Sequence, residues 1–241
     1  MATVQIILGN PGETIKLLHT GKEASSRHPQ VVTLLIDDSW SMRELNKCVY
    51  VTESVQNLII EIQCNNMGSH FPRYIINIAK FANWVDPIDI CANPNHIDLD
   101  KLSFEGGSGR GKNMADALAW AAYATLKSLD MARQGSNYVE DKSPNPIVMF
   151  ISDGANSGSD PLPHAQALKS IPFQGGQVDV VVLGIGLGPD DMRIMQSIAS
   201  RPDLAVAAGT AMLDDFLAPF EDPDAPIGGM HIMPIMPTRK P

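Results

Sequence analysis

Apolar positions along the chain fall into two patterns, unbroken short runs and runs with helical spacing. Val31–Ile36 and Ile147–Ser152 are continuous apolar stretches of strand length, without the alternation of a half-exposed strand. Such runs suit central parallel strands covered on both faces. Tyr74–Ala82 and Val178–Ile185 read as further strands, Leu204–Ala208 as a weaker one, and Asn83–Ile90 as an edge hairpin or turn. Between them, Leu45, Val49, Val55, Leu58, Ile59 and Ile62 recur at helical intervals, which predicts a helix from Arg43 to about Asn65. Met114–Ala132 is a second, alanine-rich helix, Pro163–Ile171 a short one, Asp190–Ser200 another, and Ala211–Phe216 the start of a closing helix.

Strands that alternate with helices select a three-layer α/β/α, Rossmann-like domain. Its sheet is mostly parallel, with one antiparallel edge strand and helices on both faces. Residues 30–218 form this domain. Residues 1–29 precede it as a β-hairpin and linker, the hairpin turning at Asn10-Pro11-Gly12 between the β-prone runs 3–8 and 14–18. Residues 219–241 are a tail rich in Pro and Met, extended on the surface or mobile. Met230, Met233 and Met236 make it an adaptable apolar strip across the domain or a docking peptide for another subunit.

The formal charge is −9, which argues against DNA phosphates or an anionic membrane surface as partners. Cys48, Cys64 and Cys91 have neither the parity of a disulfide framework nor the spacing of a zinc site, so a reducing compartment is expected. Neither a basic leader nor a span of about 20 apolar residues is seen, and the expected location is the cytoplasm.

Ligands of open parallel sheets bind beyond the strands' carboxyl ends, so the polar residues that follow each apolar run are the candidates for chemistry. After Ile36 come Asp37, Ser39 and Ser41 at alternating positions, and after Ile151 come Ser152, Asp153 and Gly154. One carboxylate with two hydroxyls, completed by a second carboxylate directly or through water, suits a hard cation such as Mg²⁺.

These two motifs resemble the von Willebrand factor A domain, whose metal-ion-dependent adhesion site uses an Asp-x-Ser-x-Ser run, a threonine in a glycine-rich loop and a later aspartate. Gly106-Gly107 leading into Asn113–Leu118, and Val181–Gly186, agree with it. The resemblance implies a protein-recognition module in which a partner's acidic side chain completes a Mg²⁺ site on Asp37, Ser39, Ser41 and Asp153. The compact layout is similar to bacterial TerY-like proteins linked to tellurium resistance and stress. It is more loosely similar to A-domain proteins that work beside MoxR-type ATPases. The implied partner is a protein, such as a kinase, a phosphatase or such an ATPase, and no turnover is required.

Two departures from the family pattern matter. Trp40 stands where a glycine is usual, either packed on an adjacent loop or in contact with a partner. Lys112 takes the position of the threonine, and an ammonium has no lone pair for a metal. Two courses are open to it: it extends into solvent, or it sits between Asp37 and Asp153 as a substitute cation. Ser108, in the same loop, is the candidate hydroxyl to replace the threonine as a metal ligand. Gly106–Lys112 also matches the Gly-x-x-x-x-Gly-Lys phosphate loop, except that Asn113 follows in place of Ser or Thr. The competing reading is accordingly a metal-dependent phosphohydrolase or nucleotide hydrolase.

Overall fold

The computed structural model describes residues 4–7, 14–17, 24–66, 72–135, 138–154, 156–174 and 176–208. The closing helix and the Pro- and Met-rich tail expected from the sequence lie outside them. The N-terminal hairpin is present as β1 (Val4–Ile7) and β2 (Thr14–Leu17), antiparallel, with Val4 opposite Leu17. It forms a two-stranded sheet of its own.

The main sheet begins with β3 (Gln30–Asp37), followed by α1 (Lys47–Asn66), β4 (Tyr74–Phe81), β5 (Val85–Ala92) and α2 (Met114–Arg133). After these come β6 (Ile147–Ser152), α3 (Leu162–Lys169), β7 (Asp179–Ile185), α4 (Pro189–Ile198) and β8 (Ala205–Ala208). The six strands are ordered β5-β4-β3-β6-β7-β8, all parallel except β5, which runs antiparallel along β4 at the edge. This is the expected three-layer architecture.

All eight residues of β3 are buried, which explains its unbroken apolar pattern. Leu34, Leu35 and Ile36 are fully excluded from solvent, each contributing about 1.5–3 kcal/mol of burial energy. Cover comes from α2 on one face, where Thr125 meets Thr33, and from the apolar stripe Val51, Val55, Leu58, Ile59 and Ile62 of α1 on the other. The chain leaves β3 toward β4 and later returns on its opposite side as β6. That places the reversal of strand order between β3 and β6, where open α/β sheets bind ligands.

Two local differences from the sequence reading have physical causes. The helix predicted from Arg43 starts at Lys47, because Trp40–Asn46 forms 3₁₀ turns that end in a kink with φ of 56° at Leu45 and 58° at Asn46. The apolar periodicity runs through that kink, so spacing alone does not reveal it. The edge segment is a full strand, β5, bulged against β4, with Cys91 at φ 55°.

A buried polar cluster anchors this bulge. The Asn77 amide donates to Thr33 Oγ1 at 3.1 Å and Ser128 Oγ at 3.0 Å, while its carbonyl oxygen accepts from Cys91 N at 2.8 Å. Asn77→Ala strands these partners without solvent, and the expected loss is about 2–3 kcal/mol of stability, read from the urea midpoint. A change under about 0.5 kcal/mol would show that the cluster rearranges at no cost.

Candidate functional site

Parallel pairing brings the two acidic strand exits together. Ile36 is in register with Ile151, so Asp37 and Ser152 leave the sheet side by side, and Ser152 Oγ donates to Asp37 Oδ2 at 2.6 Å. The other Asp37 oxygen accepts from Ser39 N at 2.8 Å, which folds the exit loop back over the strand end. Ser39 Oγ lies 3.2 Å from Ser41 Oγ, and Ser41 Oγ donates to Asp153 Oδ1 at 2.8 Å. The structure thus assembles all four residues expected of the site: Asp37, Ser39, Ser41 and Asp153.

Lys112 reaches the same place. Its ammonium contacts Asp153 Oδ1 and lies 3.5 Å from Asp37 Oδ2, so it sits between the two carboxylates rather than in solvent. Its backbone is fixed from two sides. Lys112 N donates to Ser157 Oγ at 2.6 Å, and Ser157 N donates back to Lys112 O at 3.0 Å. On the other side, Asn113 N donates to Ala82 O at the exit of β4. Gly154 completes the cradle, since a Cβ there would stand 2.6 Å from Lys112 Nζ.

A second ammonium, absent from the sequence reading, belongs to Lys47. It is the first residue of α1, and its Nζ lies 2.6 Å from Asp153 Oδ2. The sequence places it one turn into the helix predicted from Arg43, where a lone lysine ordinarily faces solvent. The kink at Leu45 and Asn46 turns it inward. Two non-glycine residues at positive φ cost about 1–3 kcal/mol each, and such strain collects at functional sites.

The remaining candidates separate from this cluster. Ser108 is not the replacement hydroxyl: its Oγ donates to Asp38, as does Gly106 N at 2.7 Å. Asp38 follows Asp37 directly and points to the opposite side of the strand exit, so it pins the glycine loop instead. Gly106, at φ 64°, approaches Ser39 O and Arg43 too closely to admit a side chain. Trp40 N donates to Gly109 O at 2.8 Å, but the Trp40 side chain is not packed away and the residue is 55% exposed.

Electrostatics distinguish the two acids. Burial drives the Asp37 pKa up, against the opposing pull of Lys112 and of hydrogen bonds from Ser152 and Ser39. Burial also acts on Asp153, but hydrogen bonds from Lys112, Lys47 and Ser41 outweigh it and hold this carboxyl below its ordinary range.

With the lysines charged and both acids ionised, two ammoniums balance two carboxylates. A divalent cation placed among them would meet both ammoniums. Two unit charges 4 Å apart interact by about 4 kcal/mol at an effective dielectric of about 20, and a divalent ion doubles that repulsion. Residues arranged in this way do not fit Mg²⁺. The phosphate-loop reading meets a similar obstacle. Lys112 is engaged by two carboxylates, and the segment before the loop forms 3₁₀ turns at Pro94–His96 and Leu99–Lys101 instead of a strand.

The family model of the von Willebrand factor type A domain matches residues 32–218. The chain belongs to that family. No curated protein matches it in sequence. Among solved structures, this A domain is similar to proximal thread matrix protein 1 of the mussel byssus with a zinc-occupied metal-ion-dependent adhesion site (TM-score 0.60, 19% identity). That match covers 85% of this chain and 49% of the mussel protein. It also resembles the pilus adhesin SpaC of Lactobacillus rhamnosus GG, at TM-score 0.61 and 16% identity, over 81% of this chain and 30% of the adhesin. The vWF domain of the pilus tip protein Mfa5 of Porphyromonas gingivalis gives TM-score 0.55 and 11% identity, over 80% of this chain and 94% of that one. At these identities the likeness is one of fold, and the chain spans about half or less of the mussel protein and of SpaC.

The pKa shifts of the two acids have opposite consequences for stability. Asp153, held below the usual carboxylate range, stabilises the fold above that range and ceases to do so as pH falls through its lowered value. Asp37, raised by burial, disfavours the fold when ionised, and that penalty fades as pH falls. Asp153→Asn leaves two buried ammoniums short of a counter-charge, and the expected loss at neutral pH is about 3 kcal/mol. The gap from the native chain should narrow at acid pH, measured by urea midpoints at both. A gap that does not depend on pH would contradict the assignment.

Proposed function

We propose that this A domain is a protein-recognition module without turnover, and that it docks its partner on the rim around the strand C-termini. The observation that carries this reading is the pair of exposed tryptophans beside the glycine loop. Trp40, 55% exposed, is tied to Gly109, and Trp84, 59% exposed, follows Asn83, whose side chain accepts from Gly111 N. Leu45 is exposed at the kink, and Arg43, bonded through Nε to Glu105 O, lies against Gly106 and Gly107. Trp and Arg are the residues that most often dominate binding energy at protein interfaces.

Beneath this rim, Asp37, Ser39, Ser41, Asp153, Lys47 and Lys112 form a floor that fixes the loops in place. The family's use of a partner carboxylate on a metal ion supports the location of the docking face. The charge balance of this floor favours recognition through the rim. Arg43 and Arg110 offer cationic contacts for an acidic partner surface. The resemblance to TerY-like proteins makes a cytoplasmic stress-response complex the context we favour, with a kinase, a phosphatase or a MoxR-type ATPase as partner. No helix among the described residues is long and apolar enough to cross a membrane.

The test is capture of such candidate partners by the full chain, with Trp40→Ala/Trp84→Ala as the rim variant. The expected result is binding weakened about 30-fold or more, as removal of interface tryptophans at about 2 kcal/mol implies. Equal capture by the native chain and the rim variant would remove this face from recognition.

A further inference from the structure

We propose that the paired ammoniums of Lys47 and Lys112 are a built-in replacement for the divalent cation of the A-domain site, so that the site of this chain is closed to Mg²⁺. Two features converge on this. First, the two lysines come from different parts of the fold, the start of α1 and the loop before α2. They engage different oxygens of Asp153, Lys47 taking Oδ2 and Lys112 taking Oδ1. No Asp153 oxygen is left without a cationic partner.

Second, both ammoniums are held in place. Lys112 is clamped by Ser157, and its neighbour Asn113 by the backbone of Ala82, with Gly154 leaving room for the Lys112 Nζ. Lys47 is delivered by the positive-φ pair Leu45 and Asn46 and is only 8% exposed. Ser41 Oγ donates to Asp153, and Ser39 Oγ lies within hydrogen-bond distance of Ser41 Oγ. The two hydroxyls add no barrier of their own, since a serine that donates its hydrogen keeps lone pairs for a metal, so exclusion of the ion rests on the ammoniums. An ammonium supplies the charge that the facing carboxylates need, but it is attached to the chain and cannot exchange a water for a partner's carboxylate. A metal ion could enter only by displacing both lysines, against their charge.

The test uses the full chain after dialysis against EDTA, titrated with Mg²⁺ and Mn²⁺ at millimolar concentration. Calorimetry reads binding, and the thermal midpoint reads linkage to folding. These ions seek oxygen ligands and avoid confusion with cysteine or histidine sites. The native chain is expected to show no one-to-one binding and no change in midpoint. Lys47→Met/Lys112→Thr, which removes both ammoniums and supplies a hydroxyl at position 112, is expected to gain a single site at least about tenfold tighter than the weakest binding the titration detects, with a midpoint that rises with metal.

Stoichiometric Mg²⁺ binding by the native chain would overturn the proposal. So would a folded double variant as silent as the native chain, since the ammoniums would then not be what keeps the ion out. If the double variant folds only when Mg²⁺ is present, the cation has taken over their role, which supports the proposal. None of these readouts involves a partner, so the outcome is independent of whether the rim is the docking face.

Discussion

Two carboxylates, Asp37 and Asp153, stand at neighbouring strand exits and are almost wholly withdrawn from water. Like charges in that position are tolerable only if positive charge lies between or beside them. The parallel register of β3 and β6 leaves no freedom here, because it sets the two exits beside each other as soon as the sheet forms. The loops around the site can then be understood by how they deliver and hold the compensating charge. The glycine loop is pinned through Asp38 and Asn83, and the backbone next to it carries Lys112 inward. The kink before α1 does the same for Lys47.

A buried ion cluster of this kind adds little net stability compared with well-packed apolar residues. Its value lies in specifying geometry: each lysine has one place to go, and the loop that carries it is ordered as a result. The rim is the beneficiary. Trp40 hangs from a backbone hydrogen bond to the glycine loop, and Trp84 from the turn whose Asn83 holds that loop. Rigid aromatic side chains on ordered loops lose little entropy on binding, which suits them to contact a partner.

The architecture was legible in the sequence because fully buried parallel strands leave unbroken apolar runs and stop abruptly at acidic residues. The convergence of Asp37, Ser39, Ser41 and Asp153 followed from where those runs end. Other features depend on information that spacing does not carry. Asp37 and Asp38 are consecutive and diverge, so a hydroxyl in a distant loop can meet either, and Ser108 meets the second. Lys47 looks like any solvent-facing lysine of a helix until the backbone turns at Leu45 and Asn46, two residues without the usual glycine signature of positive φ. The course of Lys112 between the carboxylates was one of two readings open from the sequence, and the depth of its cradle, Gly154 and Ser157, appears only in three dimensions.

The difference between an ammonium and a metal ion at this position is one of exchange as much as of charge. A hydrated cation keeps coordination positions that an incoming carboxylate can take from water, so recognition and ion occupancy are linked. An ammonium on a buried side chain spends its hydrogen bonds on the acids that hold it and offers no vacant position. Partner binding built on such a floor must draw its energy from the surface above, through aromatic area and arginine contacts. It then responds to ionic strength through the rim charges rather than to the supply of a particular ion. If the two lysines replace the ion as proposed, the same fold is changed from a device gated by a cofactor into one that is competent as soon as it is folded.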